Sequence, residues 1–378
     1  MGTDAWRNWQ AFDAGSEELE NFDDELQSDV SFFGGPIALG PYKFSTVIRD
    51  PGPVGPCVIL QGGIHAKLIP DVVVDGQLAK ADSSAYHGGT IGDEIAALLS
   101  LEFGVRIRLA GTSRLSGIHD GGELRPPIYF EVPRLARPGP PSRELMPLAM
   151  RRKANLDATS RLESFPAIDE TAQVELVRAA RSYATALWWA NEDPNQAWLQ
   201  LVTAVETAAK CRQILTTESV DLLRELWPEV WEVIKSAADD AKVRIADLLA
   251  PQIRATRTFI DFVDECAPDP PSVRSSFAEL DWNKMRQHAR VIYGHRSQAL
   301  HAGKPFPMPM LEQPRTEESG AVQETPLGLN AGGLGGVWDA TETPMLLSIF
   351  EYIARGALLQ WWDELASRRR AESPAGAH

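Results

Sequence analysis

Between residues 133 and 144 the chain reads PRLARPGPPSRE, and Pro147 follows closely. Prolines this dense deny helix and sheet the backbone donors they need, so the stretch is a linker or a long ordered loop. It also divides two textures. Upstream, from about Val30 to Val132, short apolar runs are punctuated by Gly, Pro and Asp. Strands are expected at 42–48, 57–61, 64–68, 105–110 and 128–130. The clearest alternation, Val105-Arg106-Ile107-Arg108-Leu109, sets apolar residues on one face and arginines on the other. One helix interrupts the strands at 93–101, with Gly92-Asp93-Glu94 as an acidic start and Gly104 as its stop. Downstream of Asp169 the period changes. Apolar residues recur every three or four positions over 170–190, 194–215, 219–236, 239–249, 251–266, 272–302 and 343–370, with a Gly/Pro/Glu-rich loop at 303–341. Pro194 and Pro251 suit first helical turns, and Pro228 is expected to kink or divide its helix.

The expected fold class is therefore α+β, a β-rich N-terminal domain followed by an all-α helical bundle. Residues 1–29 read as an acidic, solvated extension, with room for a short amphipathic helix near Trp6–Phe12. Residues 30–150 read as a β-rich sensor or recruitment domain, and 169–370 as the helical domain. Cys57, Cys211 and Cys266 are far apart, with no C-x-x-C pair and no histidine at ligand spacing. That argues for a reducing compartment and against a disulfide scaffold or a zinc site. The N-terminus is acidic and broken by charges, unlike a signal peptide, and no stretch reaches the roughly 20 apolar residues a membrane span needs. The expectation is a cytoplasmic protein with no membrane partner and no cofactor.

A formal charge of −15 argues against a surface that coats nucleic acid or anionic membrane everywhere, so any RNA contact must be local. One segment reverses the sign. Residues 281–304 hold Lys284, Arg286, Arg290, Arg296 and Lys304 against Asp281 alone, with three of the seven histidines, His288, His295 and His301. Gly303 and Pro305 mark a helix stop, which puts His301 in the last turn, where the helix dipole favours a cation. Arg296 lies five residues earlier, about 7.5 Å along the axis and about 140° around it, so the two side chains flank a groove. Tyr293, Ser297 and His301 follow one another at four-residue steps. RNA cleavage needs few parts: a base for the ribose 2′-hydroxyl, a cation for the phosphate, and an acid for the leaving 5′-oxygen. A histidine serves as base or acid, an arginine fork grips phosphate, and no metal is required.

Tyr293-Gly-His-Arg-Ser-Gln-Ala-Leu-His-Ala-Gly303 resembles the signature of the HEPN family, in particular its Apea-like group, which shows a tyrosine, then Arg-Ser, then His-Gly closing a late helix. Upstream, the run from Asp193 to Glu206 resembles that group's early helix. The resemblance covers roughly residues 170–370. It departs at Ala302, which separates His301 from Gly303, where the family often has glycine directly after histidine. The resemblance implies a HEPN-like helical bundle that dimerises, with Arg and His of both copies lining a cleft. It implies a metal-independent endoribonuclease, typically a toxin or an antiviral defence effector, with Arg296 binding phosphate and His301 as general acid/base. The alternatives are a non-catalytic RNA- or nucleotide-binding module that regulates a partner, and a protein whose helices only dimerise.

The remaining candidates carry two readings each. Glu206 either orients Arg296 or His301, or makes a structural ion pair; burying it demands a cationic partner. His295 reads as solvent-facing, with phosphate binding as the other role. Tyr293 reads as core, with base stacking as the other role. Arg106, Arg108 and Arg114 read as the solvated side of a sheet, with a phosphate-binding face as the other role. The tryptophans at 188, 189, 198, 227, 231, 361 and 362 read as core and dimer contacts, and Gly332-Gly-Leu-Gly-Gly336 as loop.

Overall fold

The computed structural model describes residues 2–68, 73–74, 77–78, 83–117, 126–140, 142–150, 152–212 and 217–372. It is a mixed α+β protein whose contacts form two compact units, Met1–Asp193 with Trp362–His378, and Pro194–Trp361.

The first unit holds α1 (Asp4–Asp13), β1 (Glu20–Ser28), β2 (Ser31–Phe33), β3 (Ile37–Leu39), β4 (Tyr42–Thr46), β5 (Gly55–Ile64), β6 (Val73–Val74), β7 (Gln77–Leu78), α2 (Ile91–Phe103), β8 (Arg108–Gly117), β9 (Ile128–Tyr129), β10 (Lys153–Asn155) and α3 (Ala172–Trp189). Six strands form one antiparallel sheet in the order β3-β4-β5-β1-β8-β9. Its centre is β1, within the residues expected to be a solvated extension. That expectation is corrected. The inward positions of β1 are Phe22, Asp24 and Leu26, and the aspartate among them hides the two-residue period from a hydrophobicity reading.

The start of the chain is equally integral. The fully buried Glu94 carboxylate on α2 accepts from the backbone N–H groups of Asp4 (3.0 Å) and Ala5 (2.8 Å), the first turn of α1. It also pairs with His87 Nε2 at 2.7 Å. A carboxylate thus satisfies orphan donors at a helix start from ninety residues away. Asn8 of α1 donates to the Gly63 carbonyl, and its Oδ1 accepts from the N–H groups of His65 (2.6 Å) and Ala66 (3.3 Å). Those donors are withdrawn from any ladder, so β5 ends at Ile64 and the strand expected at 64–68 does not form; residues 69 and 70 lie outside the described set.

The strand expected at 105–110 starts later, at Arg108. Arg106 is buried, not solvated, and its guanidinium pairs with the buried Asp29 and approaches the Trp188 ring at 5.7 Å. Arg114 remains half exposed beside Asp23. The expected helix at 93–101 extends to α2, which opens with a Thr90/Asp93 capping box. It packs on α3, β8 and β1. The sequence period groups α3 with the later helices; its contacts place it with the sheet. The proline-rich stretch is an ordered loop at its start. Gln27 of β1 accepts from Leu135 N–H at 2.9 Å and donates to the Pro133 carbonyl at 3.1 Å.

The second unit holds α4 (Pro194–Arg212), α5 (Ser219–Leu226), α6 (Pro228–Ile234), α7 (Asp239–Cys266), α8 (Met285–Ala302), a hairpin of β11 (Asn330–Gly333) and β12 (Gly336–Asp339), and α9 (Leu347–Glu372) as far as Trp361. Pro228 divides α5 from α6, as its missing donor requires. Pro251, expected to start a helix, instead lies inside α7. It and Asp247, whose carbonyl loses its partner, are both exposed, so water can take the freed acceptor. The helix expected at 272–302 is shorter. Its first part is an irregular turn, because Arg274 forks onto Glu324 (2.9 and 2.6 Å) while Leu280 N–H donates to the same carboxylate at 2.6 Å. Gly332 to Gly336, read as loop, forms the hairpin, turning through Leu334 and Gly335 at φ 48° and 86°. Trp198 stacks between Phe306 (5.1 Å) and Phe350 (4.8 Å) at the core. No helix among the described residues is long and apolar enough to cross a membrane.

Two outcomes follow from buried carboxylates in the first unit. Replacing Glu94 with alanine leaves two helix donors and His87 without their acceptor, and should lower stability by about 3–5 kcal/mol, with α1 becoming a site of early proteolysis. Burial raises Asp24 from 3.8 to about 6, against the Thr112 hydroxyl, which lowers it; Asp93 and Asp23 raise it further. A raised carboxylate contributes its stability in full below pH about 4 and loses it as pH rises through about 6. Asp24→Asn should therefore be more stable than wild type at pH 7 by about 3 kcal/mol, with the difference closing on acidification in urea melts.

Candidate functional site

Helix α8 is sorted into an inner and an outer face by its sequence. Met285, Ala289, Ile292 and Tyr293 recur at helical spacing and are buried, while Arg290, Gly294, Gln298 and His301 are exposed. Gly303 adopts the left-handed conformation (φ 63°) that lets a chain leave a helix, and Lys304 N–H reaches back to the Gln298 carbonyl at 3.3 Å. His301 consequently falls in the last turn, as the glycine and proline beyond it imply.

On the inner side, Glu206 of α4 binds two residues of α8. Its Oε1 accepts from the Tyr293 hydroxyl at 2.9 Å, and its Oε2 meets Arg296 Nη2 at 2.5 Å. The Arg296 guanidinium also lies 5.6 Å from the Tyr293 ring, and that ring packs 5.0 Å from Phe259 of α7. Burial first, and then the Glu206 charge, push the Tyr293 phenol well above its ordinary value, so it stays a donor at any working pH. Tyr293 is thus core with its polar tip spent on Glu206, which leaves no face for a base.

Arg296 is fixed but not saturated. Its side chain is 19% exposed, and its Nε is buried without a hydrogen-bond partner among the described residues. Ser297 is half-buried and His301 exposed, and neither makes a hydrogen bond among those residues. His295 departs from the sequence reading. It is half-buried 6.0 Å from the Phe306 ring, and its Nε2 donates to the Glu342 carbonyl at 2.6 Å. Burial draws its imidazole below the usual histidine value. A neutral ring engaged in holding the 342 turn is neither solvent-facing nor free to grip phosphate.

The positive segment is less positive in place than on paper. Arg286 meets Asp261 (2.9 Å) and Asp264 (3.1 Å) of α7, Lys284 meets Asp281 (3.0 Å), and Arg296 meets Glu206. The remaining cations are Arg290 and Lys304, both exposed; Arg290, eleven residues before His301, shares its flank by helical phase, and Lys304 acts on His295. The partners on α7 were missed from sequence, although Arg257 and Asp261 at four-residue spacing signal a charged face there. Arg296 and His301 leave the helix about 140° apart, so one copy offers a guanidinium and an imidazole on two flanks of a ridge. The guanidinium can hold a phosphodiester oxygen and the imidazole can exchange one proton, each on its own flank. No family model, curated protein or solved structure matches the chain.

The Glu206 cluster predicts an asymmetry. Glu206→Ala strands a partly buried guanidinium and should cost about 3–5 kcal/mol, whereas the paired change Glu206→Met with Arg296→Met should recover most of it. Tyr293→Phe removes one hydrogen bond to a charged group and should cost about 1.5–3 kcal/mol. Chemical denaturation of the four proteins reads all three values.

Proposed function

We propose that the chain is a metal-independent endoribonuclease of the HEPN type, a cytoplasmic toxin or anti-phage effector whose helical part dimerises. The observation that carries this reading is the arrangement on α8: a guanidinium held by Glu206 and an exposed, unengaged imidazole one and a half turns further on. In the reaction, a base removes the proton of the ribose 2′-hydroxyl and the 2′-oxygen attacks phosphorus. The bond to the 5′-oxygen breaks as that oxygen takes a proton, leaving a 2′,3′-cyclic phosphate and a 5′-hydroxyl. Arg296 offsets the charge that builds on the non-bridging oxygens, where a fixed cation is most effective. His301 of one copy performs one proton transfer and its counterpart in a second copy the other, since one imidazole cannot be base and acid in the same step. The exposed outer face of α8, with Gly294 open to solvent, offers such a copy an approach. The β-rich part would sense or recruit.

One observation favours a second reading, a non-catalytic RNA- or nucleotide-binding module that regulates a partner. Arg296 already has a counter-ion in Glu206, which reduces the net charge it can offer a phosphate. The two readings part in one experiment. Purified protein is incubated with total RNA in chelator and the new ends are mapped. Catalysis predicts cyclic-phosphate ends from wild type and a fall of at least about 100-fold in His301→Ala. Arg296→Lys keeps the charge on Glu206 and loses the fork, and should be similarly impaired. Undiminished cleavage in both variants defeats the assignment; salt-released intact RNA from wild type selects the binding module.

A further inference from the structure

The first unit contains a cavity of about 90 Å³ that the α8 chemistry does not use. Its walls come from α2, the start of β8 and α3, and its floor is apolar, with Ala96, Ala97 and Ala184. Two guanidinium groups face it. Arg108 is exposed, lies over the Trp188 ring at 4.9 Å, and makes no hydrogen bond or ion pair among the described residues. Arg181 meets Asp93 at 3.8 Å and donates to the Gly88 carbonyl at 3.2 Å. Thr185 adds a hydroxyl that is likewise unengaged among those residues.

The local charges do not cancel. Two arginines stand against Asp93, a surplus of one positive charge in a chain of net −15. Burial disfavours the charge on Arg108 most, Asp93 favours it, and Arg181 disfavours it again, so the two cations are close enough to oppose one another. An anion placed between them relieves that opposition. Arg181 packs closely against Gly89: a Cβ on residue 89 would stand 2.0 Å from its Nη1, so a side chain there would displace the guanidinium. Trp188 is buried and its NH is spent on the Ile107 carbonyl at 3.5 Å, which leaves its ring to support Arg108.

We propose that this cavity binds the phosphate group of a small phosphorylated molecule, with Arg108 and Arg181 as its cationic clamp and Thr185 as a further donor. Phosphate fits better than a carboxylate because two guanidinium groups and a hydroxyl line the same small space, more donors than the single fork a planar carboxylate needs. The site is independent of the ribonuclease reading and shares no residue with it.

Calorimetric titration of the full chain with inorganic phosphate, adenosine monophosphate and acetate at low salt tests it. Phosphate and the monophosphate should bind, acetate at least tenfold more weakly, and a monophosphate tighter than free phosphate would mark the ester as the ligand. Arg108→Gln, at an exposed position where the side chain rests on the Trp188 ring, should weaken phosphate at least tenfold while the protein keeps its cooperative melt. Arg114→Gln, six residues along the same strand and outside the cavity, should bind as wild type does. Absence of phosphate binding, equal affinity in Arg108→Gln, or equal loss in Arg114→Gln overturns the proposal.

Discussion

A carboxylate removed from water must be met by donors, and this acidic chain uses that requirement as its main fastening. Glu94 meets the first turn of α1 and His87. Asp29 meets Arg106, and Glu102 accepts from the backbone of Ser160 and Arg161. In the second unit Glu324 meets Arg274 and Leu280, and Glu206 meets Tyr293 and Arg296. Each joins segments far apart in sequence, and each is costly to break from one side only, because the surviving donors or cation lose their counterpart. Hydrophobic burial supplies the cores; the carboxylates fix which segment lies against which.

The candidate site depends on the same device. Without Glu206, α8 would still present an apolar face inward and keep its Arg286 contacts to α7, but Arg296 would lose the carboxylate that holds it. With Glu206, the guanidinium is positioned and its charge partly offset, while His301 stands clear beyond it. That trade of free charge for placement is what the proposed catalytic role would use, since preorganisation matters more there than attraction at long range. The segment's formal charge likewise overstates its net charge in place, because Arg286 and Lys284 have counter-ions on α7 and at the helix start.

The errors of the sequence reading share a cause. Asp24 in the centre of β1 conceals a period of two, so a central strand reads as a tail. Arg106 reads as solvated because arginine usually is, and only Asp29 makes its burial tolerable. His295 reads as free because the Glu342 carbonyl that claims it lies 47 residues on. In each case the deciding partner is remote in sequence and polar, and no local pattern announces it.

What the sequence determined by itself is local: the mixed composition of strands then helices, the division at Pro228, the stop at Gly303, and thereby the place of His301 in a last turn. These depend on backbone donors, φ preference and side-chain period within a few residues. Tertiary structure alone decided that β1 belongs to the sheet, that α1 and α3 pack on α2, and that Glu206 meets Arg296 and Tyr293. Burying a charge is acceptable only where its partner arrives, and which partner arrives is settled by the packing of the whole unit.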